Sequence, residues 1–195
     1  MIRRTIAGNL QAFERRDSPL SLTPAAVAIV LVMSDGIPSV PIFQRPLNMS
    51  RHAGQIALPG GKVHSGETVE DCAIREVNEE LGLVLDTADV LGLLDDFDTE
   101  SGFRITPVVI WSSAGVSDLK PSRWEVLKLF VIGTPELHDT VAAAALGSTQ
   151  EFSLRFQRVE VFAPTAAILY QFSEVALDGR PCRVADFYQP PFTHR

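Results

Sequence analysis

The residues best suited to chemistry lie in one short stretch, in which Arg75 is followed by Glu76, Glu79 and Glu80. On an α-helix, side chains three or four positions apart are neighbours, so the three carboxylates would repel one another. A hard divalent cation reverses that repulsion, because Mg²⁺ prefers carboxylate oxygens and keeps waters and phosphate oxygens as further ligands. Arg75 stands four positions before Glu79 and can pair with it. Taken alone, the stretch is more typical of a solvated acidic helix face with one salt bridge.

The helix that carries these residues is predicted over 69–81. Thr68 and Asp71 have the spacing of an N-terminal capping box, and Gly82 stands where a C-cap glycine is expected. On a helical wheel, one apolar face should pack on a sheet, formed by Ala73, Ile74, Val77 and Leu81. The three glutamates fall on the flank of that face. We therefore expect them to bind a metal through solvent-exposed oxygens and not to build the core.

A glycine-rich stretch, 54–66, precedes this helix and contains Pro59, Gly60 and Gly61 in succession. A loop without bulky side chains lets the backbone approach a ligand closely. Because the loop leads directly into a helix with a metal-type acid cluster, the economical joint interpretation is a phosphate ligand together with a metal ion.

Gly61, Glu67 and the run from Arg75 to Leu83 resemble the Nudix box, whose fixed positions they match over residues 61–83. The resemblance implies a hydrolase that acts on a nucleoside diphosphate linked to another group. It also implies an α/β/α sandwich with a central mixed β-sheet, and Mg²⁺ or Mn²⁺ as cofactor. Such a cation would polarise a phosphoryl oxygen and orient the diphosphate.

The same resemblance implies roles for single residues. The metal ligands would be three glutamates of the helix, Glu76, Glu79 and Glu80. Arg75 resembles the arginine that orients a glutamate, and Glu67 the residue that supports the loop–helix junction or the metal shell. The proton acceptor stays open between Glu79 and an acid outside the box, such as Glu125 or Glu100.

Further stretches resemble the coenzyme A pyrophosphatase branch of the family: 52–61, 91–96 with 101–109, and 164–166. Ser50 stands where the branch has an arginine, although Arg51 is adjacent, and Leu58 replaces a phenylalanine. The resemblance implies cleavage of coenzyme A, or a derivative, to 3′,5′-ADP and 4′-phosphopantetheine. The alternatives are an ADP-ribose or dinucleotide pyrophosphatase, or a non-catalytic domain that senses a nucleotide. Intact box residues argue against the non-catalytic alternative.

Coenzyme A carries a diphosphate and a 3′-phosphate, so its pocket needs cationic partners beyond the metal. The candidates for substrate binding are Gly60 and Gly61 with the cations Arg45, Arg51, Lys62 and Arg104. His52 is either a phosphate contact or a structural hydrogen-bond partner. Trp111 and Trp124 are interpreted as core or sheet-edge residues and not as base-stacking platforms.

Patterns elsewhere predict the elements that must position these residues. Ala25–Met33 is apolar and β-branched enough for a buried strand, and Val40–Arg45 would pair back across a turn as a hairpin. Further strands are expected at 88–94, 104–111 and 152–162, a strand or mixed segment at 125–132, and further helices at 2–16, 135–146 and 164–177. This irregular alternation predicts one α/β domain, residues 1–195, with a mixed sheet covered on both faces.

Composition and charge argue against several other classes of protein. The chain has 195 residues, 46% hydrophobic and 21% charged, and a formal net charge of −7, which argues against a broad nucleic-acid-binding face. Its longest apolar run has nine residues, about half of the ~20 that span a membrane. Cys72 and Cys182 fit no metal spacing and are expected to be reduced thiols in the cytoplasm. The expected partner is a small-molecule nucleoside diphosphate, with neither nucleic acid nor membrane, and a homodimer is left open.

Overall fold

The computed structural model describes residues 1–48, 52–144, 152–187 and 189. Its helices and strands, in chain order, are α1 (Ile2–Ala12), β1 (Thr23–Ser34), β2 (Ile37–Gln44), β3 (Ile56–Ala57), β4 (Gly60–Lys62), α2 (Val69–Leu81), β5 (Val90–Leu93), β6 (Phe97–Asp98), β7 (Phe103–Gly115), β8 (Lys128–Gly133), α3 (Thr134–Ala143), β9 (Ser153–Phe156), β10 (Val159–Phe162) and α4 (Thr165–Gln171). A π-helical turn, Phe172–Leu177, continues α4.

The main sheet is mixed, as predicted. Its order is β3-β2-β1-β7-β5, with β4 also paired to β1, β6 to β7 and β8 to β2. The pair β1–β7 is parallel, and the other described pairs are antiparallel. Strands β1 and β2 pair directly only next to their turn. Beyond it they separate, and β4 pairs with the start of β1 while β3 pairs with the end of β2. The glycine-rich segment is thereby inserted into the sheet.

Helices cover both faces of this sheet, which confirms the α/β/α sandwich. On one face, α2 packs Cys72, Ala73, Val77 and Leu81 against sheet residues that include Ala26, Ala28, Val30, Val108 and Ile110. On the other face, α1, α3 and α4 pack against the opposite side chains of the same strands, among them Ile29, Leu31, Ile42 and Val109. Each fully buried aliphatic side chain contributes about 1.5–3 kcal/mol to this packing.

The second helix has the bounds and caps that the sequence predicts. It spans Val69–Leu81, the Thr68 hydroxyl accepts a hydrogen bond from the Asp71 N–H at 3.1 Å, and Gly82 ends it at φ +70°. A left-handed φ of this kind favours glycine. The position of the acid cluster on the fold is therefore set by local signals.

Three predicted boundaries are wrong, each for a tertiary or turn-related reason. Helix α1 ends at Ala12 instead of 16, because Arg15 and the Arg16 N–H bind Asp96 and Asp95 on a distant loop. In the strand or mixed segment predicted at 125–132, the strand begins only at Lys128, because residues 122–126 form a hydrogen-bonded turn. The segment predicted as one strand, 152–162, is the hairpin of β9 and β10, and its turn falls at Gln157 and Arg158, two successive polar residues in a segment without glycine or proline.

The structure also bears on two smaller expectations, concerning membrane-spanning helices and the two cysteines. Within the described ranges, no helix is both long and apolar enough to cross a membrane. Cys72 and Cys182 are free thiols, as expected, and burial raises the pKa of each to about 11.

Candidate active site

The inserted strand β4 brings the glycine pair against helix α2. Gly61 pairs with Ala26 of β1, and Gly60 pairs with Val27. A Cβ added at Gly61 would overlap the Glu76 carboxylate, and a Cβ at Gly60 would meet the Ala26 carbonyl oxygen at 2.5 Å. No other residue type fits at either position without displacement, so the glycines are needed for close packing of the strand on its neighbours.

Glu80 lies beneath this strand and is only 3% exposed. One carboxylate oxygen accepts the Gly60 N–H at 3.0 Å, and the other lies 3.8 Å from the Arg45 Nη1. The pKa of Glu80 is raised to about 8, mainly by burial; the Gly60 hydrogen bond opposes this rise, and the charge of Glu76 adds to it. The expectation that all three glutamates present exposed oxygens is therefore wrong for Glu80. The helical wheel placed it on a flank, but β4 covers that flank.

Glu76 and Glu79 complete the helix cluster at different depths. The Glu76 side chain is 13% exposed, and burial raises its pKa, whereas the Glu79 side chain is 50% exposed. Glu125, on the segment before β8, lies close enough for its charge to raise the pKa of both Glu76 and Glu80. Glu76 and Glu80 thus lie against the glycine strand, Glu79 lies further out on the same helix, and the charge of Glu125 acts on the two more buried members.

Arg75 holds this cluster in place. Its Nε and Nη2 donate to the two oxygens of Glu67 at 2.8 and 3.2 Å, and these bonds lower the pKa of Glu67 to about 2. Its Nη1 donates to Glu76 at 2.8 Å and to Glu79 at 3.2 Å. The predicted pair with Glu79 is present, but the two shortest bonds of Arg75 go to Glu67 and Glu76. The guanidinium therefore fixes three carboxylates at once.

We predict that Arg75→Lys lowers kcat about 10²-fold or more and changes KM less. Lysine keeps the charge but loses the planar fork, so it cannot hold three carboxylates in register, and small displacements of catalytic groups are costly. Steady-state kinetics of the purified variant test this. Arg180→Lys is the matched control, since Arg180 makes a similar fork to Glu174 on the exposed surface. A raised KM with full kcat would instead mean that Arg75 contacts substrate phosphate.

The donor set of this site fits a hard divalent cation. Glu76 and Glu80 are carboxylates whose burial raises their pKa, and the charge of Glu76 raises that of Glu80 further; a divalent cation would offset this cost of ionisation. Among the residues that the structure describes, no three Asp, Glu, His or Cys side chains already converge as a finished metal site. Arg75 instead draws Glu76 and Glu79 toward itself. The carboxylate chemistry supports cation binding, and the side chains would have to turn from Arg75 to coordinate it.

A cleft of about 850 Å³ opens beside the glycine strand. At the end nearest the carboxylates it is lined by Gly60, Gly61, Lys62 and Arg45. Its remaining wall is largely apolar and comes from several elements, with Ile56, Leu58, Phe103, Ile105, Phe162 and Ile168 as its larger side chains. Such a cleft suits a ligand with phosphate at one end and a less polar group at the other.

The cationic candidates have different surroundings. Arg45 lines the cleft, and its Nε is buried without a hydrogen-bond partner among the described residues. Lys62 also lines the cleft, with its Nζ 5.3 Å from the centroid of the Phe103 ring. Arg104 does not line it, and its Nε lies 3.7 Å from Asp96. Arg51 and Ser50 fall outside the described residues.

The remaining predicted residues also differ in whether they line the cleft or lie elsewhere. His52 lines the cleft, and its Nδ1 lies 3.2 Å from the Gln55 Oε1, so both of its proposed contacts stay available. Glu100 is exposed and not part of the cleft lining. Trp111 is partly buried against the core, as expected. Trp124 is 82% exposed, so its interpretation as a core or sheet-edge residue is wrong.

Sequence patterns did not identify most of the apolar side chains that line the cleft. Phe162 and Ile168 lie about a hundred positions from the glycine pair and reach it only through the fold. The one available signal was the stretch 164–166, whose resemblance to the coenzyme A pyrophosphatase branch pointed to this region. Thr165, in that stretch, lines the cleft, and its hydroxyl donates to the Ile56 carbonyl at 3.3 Å.

Comparison with known proteins agrees with this geometry. The family model described as the NUDIX domain matches residues 22–136. The uncharacterised Nudix hydrolase NudL of Pectobacterium atrosepticum is 29% identical over 175 residues, covering 84% of this chain and 90% of the relative. NudL of Klebsiella aerogenes is 39% identical over 92 residues, covering 47% of this chain and 76% of the relative.

Two solved structures are similar in fold. A MutT/nudix family protein from Enterococcus faecalis has a TM-score of 0.54 at 18% identity, over 81% of this chain and 63% of that one. An Ap4A hydrolase from C. elegans has a TM-score of 0.50 at 17% identity, over 78% of this chain and 96% of that one. At these identities the likeness concerns the fold alone.

Proposed function

The chain belongs to the Nudix family of pyrophosphohydrolases, which act on nucleoside diphosphates linked to another group, and we propose that its substrate is coenzyme A or a derivative. The proposed products are 3′,5′-ADP and 4′-phosphopantetheine. The observation that carries this proposal is the cleft of about 850 Å³, which is cationic beside the carboxylates and apolar along its remaining wall. Coenzyme A has a matching division, with its diphosphate and 3′-phosphate at the nucleotide end and an extended, less polar pantetheine arm at the other end.

We propose Glu76, Glu79 and Glu80 as the ligands of a Mg²⁺ or Mn²⁺ ion. A bound cation of this kind supplies charge that polarises a phosphoryl oxygen and offsets the charge of the leaving phosphate. Support comes from the position of Glu80 and Glu76 against Gly60 and Gly61, and from the raised pKa of these two more buried members. Arg75 and Glu67 are proposed as positioning residues, because the fork between them fixes the entry to the helix.

The proton from the attacking water would pass to a carboxylate of this chain. Glu79 is a candidate because its side chain is half exposed and therefore reachable by water. Glu125 is a second, because it lies three residues after Ser122, which is bound to the Glu80 backbone, and its charge acts on both Glu76 and Glu80. Glu100 stays the third candidate, as an exposed carboxylate between Thr99 and Ser101, which line the cleft.

For the substrate phosphates we propose Arg45 and Lys62 as contacts, with Gly60 and Gly61 as the surface that a diphosphate approaches. Both cations line the cleft, and the buried Nε of Arg45 has a hydrogen bond to give. Arg51 stays a candidate on the sequence alone. Arg104 is left out because it faces Asp96. We also propose that residues 1–195 form one domain, since α1 and α4 pack on the same sheet as the Nudix box elements.

We predict that coenzyme A is hydrolysed with a kcat/KM about 10- to 150-fold higher than that of dephospho-coenzyme A. A charge-assisted hydrogen bond to the 3′-phosphate is worth about 1.5–3 kcal/mol, which gives this ratio. Lys62→Ala and Arg51→Ala test which cation makes the contact, and the responsible variant should lose most of the preference. Arg180→Ala, on the exposed surface outside the cleft, is the control.

A panel of diphosphates assayed with and without Mg²⁺ separates this proposal from its alternatives. Turnover of ADP-ribose or a dinucleotide far above that of coenzyme A would contradict the substrate assignment and leave the reaction class intact. Absence of any diphosphate hydrolysis in the presence of Mg²⁺ or Mn²⁺ would contradict the metal-dependent hydrolase itself.

A further inference from the structure

The segment between β7 and β8 presents two large apolar side chains to solvent. Trp124 is 82% exposed and Leu127 is 53% exposed. Tryptophan is usually highly buried, because its large apolar surface stabilises a core when it leaves water. An indole that is almost fully exposed to water is therefore a candidate contact for a ligand.

This segment is held rigidly against the proposed active site. The Lys120 N–H donates to the Leu81 carbonyl at 2.8 Å, and the Ser122 N–H donates to the Glu80 carbonyl at 2.9 Å. At its other end, the Leu127 N–H donates to the Gln44 carbonyl at 2.8 Å, one residue before Arg45. The segment thus joins the end of the acid-bearing helix to the end of the strand that leads to the cleft.

Within the segment, a hydrogen-bonded turn carries the indole. The Val126 N–H donates to the Ser122 carbonyl at 2.9 Å, so residues 122–126 form one closed turn. Trp124 is in the middle of this turn, two residues after Ser122, whose N–H is bound to the Glu80 carbonyl. The exposed ring is therefore carried by an ordered backbone next to the C-terminal end of α2, outside the cleft lining.

We propose that Trp124 is the stacking platform for the nucleobase of the substrate. This inference rests on the proposed function, in which a diphosphate lies between the acid cluster and the cationic end of the cleft. The base would stack on the indole on one side of that diphosphate, and the linked group would occupy the apolar cleft on the other. Every base has a π-face, and stacking on an aromatic side chain is a general way to bind one.

Fluorescence tests the contact without requiring turnover. Trp111 and Trp124 are the two tryptophans of the chain, so Trp111→Phe leaves Trp124 as the single reporter. With Mg²⁺ present, 3′,5′-ADP should quench this emission saturably, whereas ribose 5-phosphate, which lacks a base, should not. In the reverse variant, Trp124→Phe, the emission of the partly buried Trp111 should not respond to 3′,5′-ADP.

Kinetics test the same contact with the best diphosphate substrate. Trp124→Ala should raise KM about 5- to 100-fold with little change in kcat, which is the range expected for loss of one stacked base. Trp124→Phe should retain most of the affinity because it keeps an aromatic face. Leu127→Ala, which removes the neighbouring exposed apolar side chain, should leave KM unchanged.

The outcomes separate this inference from the function on which it rests. If diphosphates are hydrolysed but Trp124→Ala keeps its KM and Trp124 emission ignores 3′,5′-ADP, the stacking proposal is wrong and the hydrolase stands. If 3′,5′-ADP quenches Trp124 but no diphosphate is split, the stacking stands and the hydrolase does not. A change in molar mass by light scattering in Trp124→Ala, at unchanged KM, would assign the indole to a self-association surface and overturn the proposal.

Discussion

Replacement of Glu80 by Gln is expected to reduce turnover by several orders of magnitude while the protein remains folded. The amide keeps the shape of the side chain and an oxygen to accept the Gly60 N–H, which is now 3.0 Å from the carboxylate. It removes the negative charge that a cation would bind, and with it the cost of a buried charge close to that of Glu76. Steady-state rates with saturating Mg²⁺ measure the effect. Unaltered turnover in Glu80→Gln would refute Glu80 as a metal ligand.

The stability of Glu80→Gln should be equal to or higher than that of the unchanged protein, although its turnover falls. The pKa of Glu80 in the folded chain is about 8, above its ordinary value of 4.5, so the folded state binds this proton over a pH range in which the unfolded state has lost it. In chelator, the free energy of unfolding should therefore fall as pH rises from about 5 to about 8. Glu80→Gln removes this contribution and should show a flatter profile and equal or higher stability near pH 8. A lower melting temperature for the variant across this range would contradict the effect.

Gly61→Ala is the second change with a large expected effect, a loss of about 10²-fold or more in kcat. The new Cβ would overlap the carboxylate of Glu76. Because that carboxylate is the far end of a flexible side chain, it would move and the backbone would stay. Its 2.8 Å bond to Arg75 would then be disturbed, and a displacement of about 1 Å in a catalytic group costs about this much. The measurement is kcat with saturating cation and substrate.

Two other glycines serve as controls. Gly8, within α1, has open space around an added Cβ, so Gly8→Ala should leave kcat unchanged and stabilise the helix by about 0.5–1 kcal/mol. At Gly60 the added Cβ would meet backbone atoms of Ala26 and Val27, which cannot turn aside. Gly60→Ala should therefore lose stability as well as activity. Full turnover in Gly61→Ala would show that the present position of Glu76 does not matter for catalysis.

The sequence by itself determined the helix of the acid cluster and the hairpin that precedes it. Thr68 and Gly82 set the bounds of that helix through caps made by residues within a few positions, and the spacing of its glutamates followed from the helical repeat. Local hydrogen bonds and periodicity act between near neighbours, so these features did not depend on distant parts of the chain. The Nudix resemblance, which also rests on a contiguous stretch, correctly predicted the sandwich and the class of enzyme.

Only the tertiary structure decided how deep each of these groups lies. Glu80 is buried because β4 inserts between β1 and β2 and covers the helix flank. Arg104 turns to Asp96 instead of the cleft, and Trp124 lies in water beside the acid cluster. Phe162 reaches the glycine strand from the other end of the chain. Spacing along a chain fixes which residues share a helix face, but burial and partners depend on which distant element packs there, and a local pattern does not contain that information.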